Sequence, residues 1–151
     1  MKEETTLKGR YRFTLKDKYG RTTKLFLATN IVPTVGRTNI ANNLTSNSPT
    51  YTMLVNYCAL GTGTNTPANA DTTLQTETYR NAVASRTNAS NVGYVTGFFN
   101  ATETTGTYRE AGIFQNGTGS ANTGVLLSRV AINITKSTSE SLTLDWTLTI
   151  S

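Results

Sequence analysis

Leu142-Thr143-Leu144-Asp145-Trp146-Thr147-Leu148-Thr149-Ile150 alternates apolar and polar residues at every step. Successive side chains of a pleated strand point to opposite faces, so this stretch reads as a strand. Leu142, Leu144, Trp146, Leu148 and Ile150 lie on its buried face, and Thr143, Asp145, Thr147 and Thr149 on the other. The same period recurs near the start, where Tyr11, Phe13 and Leu15 alternate with Arg10, Arg12 and Thr14. Lys16-Asp17-Lys18-Tyr19-Gly20 supplies turn residues. Thr23 to Ala28 then resumes with Leu25 and Leu27 on one side and Lys24 and Phe26 on the other, which predicts a β-hairpin.

Between these ends the pattern breaks once. Val35 or Arg37, Ile40, Ala41 and Leu44 fall at three-to-four-residue spacing after Pro33, which predicts one short helix with Thr34 as N-cap. Its asparagines make it weak in isolation, so packing must hold it. Further strands are expected over Thr52 to Leu60, Leu74 to Ala84, Tyr94 to Ala101, Thr107 to Phe114 and Val125 to Ile134. Polar loops separate them, the longest running from Gly61 to Asp71. The sum is an all-β chain: a β-sandwich, jelly-roll-like, of about seven or eight strands, with one short helix and an N-terminal β-hairpin. Residues 1–29 form a basic hairpin or arm, either standing apart or part of the body, and residues 30–151 form the sandwich.

Composition agrees with strands. Threonine and asparagine are frequent and only 15% of the 151 residues are charged, as suits pleated segments joined by turns. Regularly spaced aromatic and aliphatic residues set the chain apart from a disordered threonine-rich one. The charge is uneven. Up to Arg37 there are nine basic and three acidic residues, while the remainder has five basic and six acidic, which together give the net +5. The opening residues Met1 to Thr5 are polar with no apolar stretch behind them, and no segment has the length to cross a bilayer. We therefore expect assembly in a cytoplasm and no membrane partner.

The residue inventory narrows the chemistry. There is no histidine, the usual acid–base group near neutral pH and the commonest metal ligand. Cys58 is the single cysteine, so neither an internal disulfide nor a multi-cysteine zinc site is expected. Set in Tyr57-Cys58-Ala59-Leu60, it reads as a buried structural thiol rather than a nucleophile. Gly61-Thr62-Gly63 lacks the Gly-Lys-Ser/Thr ending of a phosphate loop and reads as a tight bend. No cofactor or metal is expected, and the chain is expected not to be an enzyme. Glu77, Glu103, Glu110, Asp71 and Asp145 are the carboxylates a rival hydrolase reading would need, as a pair across a sugar-sized cleft.

Two sets of residues stand out. Glu77, Arg80 and Arg129 lie in otherwise uncharged strands, and Glu110, which follows Arg109, can meet a basic residue across the sheet; the four are candidates for a structural ion pair, with a ligand-binding pair as the functional alternative. Lys8, Arg10, Arg12, Lys16, Lys18, Arg21 and Lys24 make the hairpin a candidate partner-docking element. An acidic protein surface explains this charge better than nucleic acid, because the hairpin aromatics alternate as a core face does.

Four stretches together carry a resemblance. They are Asn30-Ile31-Val32 with Gly36 to Leu44; Ala59 to Gly63 through Asp71-Thr72-Thr73-Leu74 to Glu77 and Arg80; Arg109 to Phe114; and Leu127-Ser128-Arg129 followed by Leu142 to Leu148. Their order resembles a small family of tailed-phage and prophage structural proteins of tail, fibre or decoration type, over about Asn30 to Ser151. The resemblance implies a location in the virion, with other virion proteins as partners in a homo-oligomer or symmetric array, and implies nothing about chemistry. The alternative is a receptor- or carbohydrate-binding module of a phage fibre that contacts the host surface through Thr62 to Asp71 and Asn116 to Thr123. Aromatic residues on those loops would favour it, and both loops lack them.

Overall fold

The structure is a computed structural model and describes residues 4–151. Nine strands and one helix are present among them: β1 (Leu7–Lys16), β2 (Thr22–Thr29), α1 (Thr34–Thr45), β3 (Val55–Gly61), β4 (Glu77–Ala82), β5 (Ser85–Ala89), β6 (Val92–Phe99), β7 (Gly106–Gln115), β8 (Val125–Lys136) and β9 (Ser141–Ile150). They form two sheets, a five-stranded one in the order β2-β1-β9-β6-β5 and a four-stranded one in the order β4-β3-β7-β8. All pairings between strands are antiparallel. Each of the four hairpins β1–β2, β3–β4, β5–β6 and β7–β8 stays within one sheet. The last strand, β9, then inserts between β1 and β6 and joins two hairpins distant in sequence.

This is the expected all-β sandwich, and its core follows the alternation. Tyr11, Phe13 and Leu15 of β1 meet Leu142, Leu144 and Trp146 of β9 in register, with Tyr11 opposite Trp146 and Phe13 opposite Leu144. Against them pack Cys58 and Leu60 of β3, Ala111 and Ile113 of β7, and Val130, Ile132 and Ile134 of β8. The N-terminal hairpin is part of this body, because β1 pairs with β9 over ten residue positions and places its aromatics in the core. In β2, Phe26 and Ala28 turn inward, while Leu25 and Leu27 stand on the outer face.

Three local expectations need correction. The stretch Leu74 to Ala84 is a strand only over Glu77–Ala82, and Leu74 is instead buried beneath the preceding loop in a second, small cluster with Ala59, Phe114 and Leu126. A further strand, Ser85–Ala89, has no apolar periodicity because it is a fully exposed edge whose only strand neighbour is β6. The N-cap of α1 is Pro33 rather than Thr34; the capping position makes no side-chain hydrogen bond, and the Thr34 hydroxyl accepts one from Arg37 Nη2 at 2.9 Å.

The helix also packs through residues the spacing did not favour. Gly36 and Asn39 are its buried positions, while Leu44 is 75% exposed. Gly36 lies so close to β8 that a Cβ there would stand 2.9 Å from the Leu126 carbonyl oxygen. Asn39 Nδ2 donates to the Thr52 carbonyl at 3.1 Å and to Gln115 Oε1 at 3.0 Å. Close backbone approach and one buried amide hold this helix, together with the partly buried Val35 and Ile40, which pack against the core as their spacing predicts.

Candidate functional site

Arg80, Glu77, Arg129 and Glu110 form two separate buried ion pairs, each anchoring a loop. Arg129 donates to Glu110 Oε2 from Nη2 at 2.7 Å and from Nε at 3.1 Å, and both side chains are 1% exposed. The remaining capacity of that carboxylate is filled by backbone. Gly63 and Thr76 N–H donate to Oε1 at 3.1 and 2.7 Å, and Gln75 N–H donates to Oε2 at 3.0 Å. Arg129 also binds Asp71 at 2.6 Å and the Asn65 side chain. The loop from Thr62 to Thr76 is thereby fastened at both ends. Gly61 and Gly63 serve this arrangement: a Cβ on either would stand 2.6 or 2.5 Å from Glu110 Oε1. Their role is therefore close approach to a carboxylate, since neither has the positive φ of a glycine-dependent bend.

Arg80 does the same for the loop between β7 and β8. Its Nη2 donates to Glu77 Oε2 at 2.8 Å, and its Nη1 reaches the Thr118 carbonyl at 3.0 Å and Thr123 Oγ1 at 3.1 Å. The guanidinium lies 4.5 Å from the Phe114 ring centroid, and Glu77 Oε2 also accepts from Asn122 N–H at 2.9 Å. Both polar loops that the sequence offered for contact with a host surface are thus tied to buried arginines. Glu77 and Glu110 are fully engaged in this work and lie in different pairs, which leaves the hydrolase reading without those two as a catalytic couple.

Cys58 is fully buried in the core. Desolvation pushes its thiol up to about 12, with smaller opposing effects from hydrogen bonding to Asn81 and from the Arg80 charge. Such a thiol is protonated at neutral pH and a poor nucleophile.

The seven basic residues of the hairpin divide into two groups. Arg21 pairs with Asp17, donating from Nε at 2.8 Å, and hydrogen bonds from Arg21 and Tyr19 hold the Asp17 carboxyl below its usual value despite opposing desolvation. Lys18 lies over the Tyr19 ring, and Lys24 donates to the Thr135 carbonyl at 2.8 Å with Glu140 3.9 Å away. Lys8, Arg10, Arg12 and Lys16 are exposed along β1 and make no hydrogen bond or ion pair among the described residues. The docking set is therefore not one patch: three of its members are occupied at the turn and along β2, and four line the outer face of the five-stranded sheet.

A second surface was not legible as a site in the sequence. Where β9 ends and β3 begins, the two sheets part into an apolar mouth of about 690 Å³. Inward residues of β9 show the change along one strand: Leu142, Leu144 and Trp146 are at most 2% exposed, while Ile150 on the same face is 49% exposed. Leu44 from the last turn of α1 and Met53 and Leu54 from the segment before β3 complete the rim, exposed by 75%, 41% and 56%. Deeper in lie Leu7, Val55 and Leu148. Arg86 spans the opening, donating from Nη1 to the Val55 carbonyl at 2.9 Å. Leu44 was expected to seat the helix and Met53-Leu54 to begin a strand. Their gathering beside Ile150 depends on contacts between segments some hundred residues apart, which periodicity does not report.

Comparison with protein-family models, with curated proteins and with solved structures finds no match to this chain. Among the described residues no helix is long and apolar enough to cross a membrane.

Proposed function

We propose that the chain is a structural component of a bacteriophage particle, part of its tail, collar, fibre or capsid decoration, that acts by docking on neighbouring protein chains. The observation that carries the docking is the apolar mouth. Leu44, Met53, Leu54 and Ile150 are large, exposed and adjacent, and soluble surfaces rarely leave such a cluster uncovered. Side chains of a second copy inserted there remove apolar surface from water on both partners. In a symmetric particle one modest contact of this kind is multiplied by repetition. The placement in a phage rests on the order of motifs from Asn30 to Leu148. The interior supports a non-catalytic role, since the Glu77 and Glu110 carboxylates serve loop anchorage and the thiol is buried.

The test is the solution mass of the full chain by light scattering, beside a variant carrying Leu44→Asp and Leu54→Asp. Both positions are exposed, so the fold, checked by circular dichroism, should survive. We expect a closed oligomer for the parent chain and a monomer for the variant. A parent chain that stays monomeric at high concentration, or a variant that assembles unchanged, refutes docking through the mouth.

A further inference from the structure

The outer face of the five-stranded sheet has chemistry distinct from the mouth. It is concave, enclosing about 830 Å³, and its floor is built from the middles of β2, β1, β9 and β6. Strand register places its side chains in rungs. One rung runs Leu27, Arg12, Asp145, Thr96, and the next runs Thr29, Arg10, Thr147, Tyr94. With strands about 4.8 Å apart, the four columns span about 14 Å, and Arg10 and Arg12 stand about 7 Å apart along β1.

Three features of these rungs point to one kind of ligand. Arg10 and Arg12 are exposed guanidiniums with no hydrogen bond or ion pair among the described residues, although Asp145 is Arg12's cross-strand neighbour. Asp145 is half-buried and already oriented, accepting a hydrogen bond from Thr96 Oγ1 at 2.9 Å. Tyr94 is 42% exposed and flanks them with an amphipathic ring. Free guanidiniums favour a carboxylate, which they bind by paired hydrogen bonds. A carboxylate at the centre of the floor accepts from hydroxyl groups, and the hydroxyls of the threonines beside it both donate and accept. The ring offers an apolar face to C–H groups.

We propose that this face binds an acidic saccharide, whose carboxylate is held by Arg10 and Arg12 and whose hydroxyls are held by Asp145 and the neighbouring threonines. An acidic peptide satisfies the arginines but not Asp145. Single-stranded nucleic acid calls for an unbroken cationic track with several stacking rings, which Asp145 interrupts. The site lies on regular strands, so the backbone positions that carry its side chains are fixed before the ligand arrives. It shares Tyr94 with the lining of the mouth but uses none of the rim residues Leu44, Met53, Leu54 and Ile150, and either surface stands if the other fails.

The experiment is titration of the full chain with trigalacturonate and with a sialylated trisaccharide, followed by amide chemical shifts and by calorimetry. The methyl ester of trigalacturonate, poly-glutamate and oligothymidylate serve as comparison ligands. Binding of at least one acidic sugar is expected, with shifts confined to β1, β9 and β6 and loss of binding on esterification. Arg10→Ala and Arg12→Ala should each weaken it on the order of tenfold or more, and Asp145→Asn should weaken it as well. Lys16→Ala, outside the hollow, should leave it unchanged. The proposal is overturned if neither acidic sugar binds at millimolar concentration, or if the neutral ester binds equally well. Tighter binding of poly-glutamate or oligothymidylate than of the sugars overturns it too, and assigns the arginines to a protein or nucleic-acid partner.

Discussion

Arg129 and Glu110 meet across β8 and β7 with two hydrogen bonds to a single carboxylate oxygen, in a pocket closed by the loop that both residues anchor. A buried pair of this kind matters most when it is broken, because the surviving charge has no water to turn to. Arg129→Met should therefore destabilise the fold by about 3–5 kcal/mol, read as a shift in the urea midpoint. Adding Glu110→Gln should recover part of that loss. A change below about 1 kcal/mol, the range of an exposed pair, means that water reaches the site.

Gly97 faces Cys58 with no room for a side chain, because the Sγ atom occupies the place a Cβ would take. Gly97→Ala should cost about 1–3 kcal/mol through overpacking. Cys58→Ala removes the obstructing sulfur, so the double variant should be more stable than the sum of the single changes. Additive effects in thermal unfolding are the contrary result. The thiol itself, pushed up to about 12 by burial, should react with Ellman's reagent only at the rate of unfolding.

Glu140 ties the turn before β9 to β2. Thr23 Oγ1 donates to it at 2.6 Å, and Ser137 donates from Oγ at 3.1 Å and from N–H at 3.2 Å. The Thr23 bond first, then the Ser137 bonds and the Lys24 charge, hold its carboxyl below the usual value against desolvation. A group depressed in the folded state contributes stability above its unfolded pKa, about 4.3, and loses that contribution as pH falls through the folded value. Glu140→Gln should flatten the fall in urea midpoint as pH drops below that point. Parallel curves for parent and variant contradict this assignment.

Lys136 is a buried cation whose head, among the described residues, bonds carbonyls and no carboxylate, with the charges of Glu103 and Glu140 acting on it from further off. Its Nζ donates to the carbonyls of Glu103 at 2.7 Å, Ala101 at 3.1 Å and Ser137 at 3.3 Å, holding together the turns after β6 and β8. Lys136→Met keeps the stem and strands three acceptors, so a loss of about 1–3 kcal/mol is expected in chemical denaturation. An unchanged midpoint indicates that solvent replaces the ammonium there.

Asn39 is the polar peg of α1, bonded to Thr52 and Gln115. Asn39→Ala leaves Gln115 Oε1 and the Thr52 carbonyl without that donor, and should lower stability by about 1–3 kcal/mol. It should also speed amide exchange selectively in residues 34–54, the segment that forms one wall of the mouth. Uniform exchange across the chain would show that the helix is not a separate unit.

Alternation by itself determined the class of fold and the core faces of β1 and β9, because a side-chain period of two is a local property of the pleat. Tyr11, Phe13, Leu15, Leu142, Leu144 and Trp146 needed no partner to be read as inward. It could not determine β5, whose residues Ser85 to Ala89 have no buried face, or the most buried part of the seat of α1, which is a glycine and an amide beside the predicted Val35 and Ile40. Residue type alone marked Glu77, Arg80, Glu110 and Arg129 as charges in apolar surroundings; Glu77 and Arg80 meet within β4, but Arg129 meets Glu110 only through the pairing of β8 with β7. Both candidate surfaces arise in the same way. β9 carries Asp145 between Arg12 and Thr96, and carries Ile150 to the rim beside Leu44 and Leu54, only because it inserts between β1 and β6. That insertion joins β9 to residues more than a hundred positions away in β1 and, as for Asp145 and Thr96, 49 positions away in β6. Such pairing is selected by burial of both sheets at once, and no local pattern encodes it.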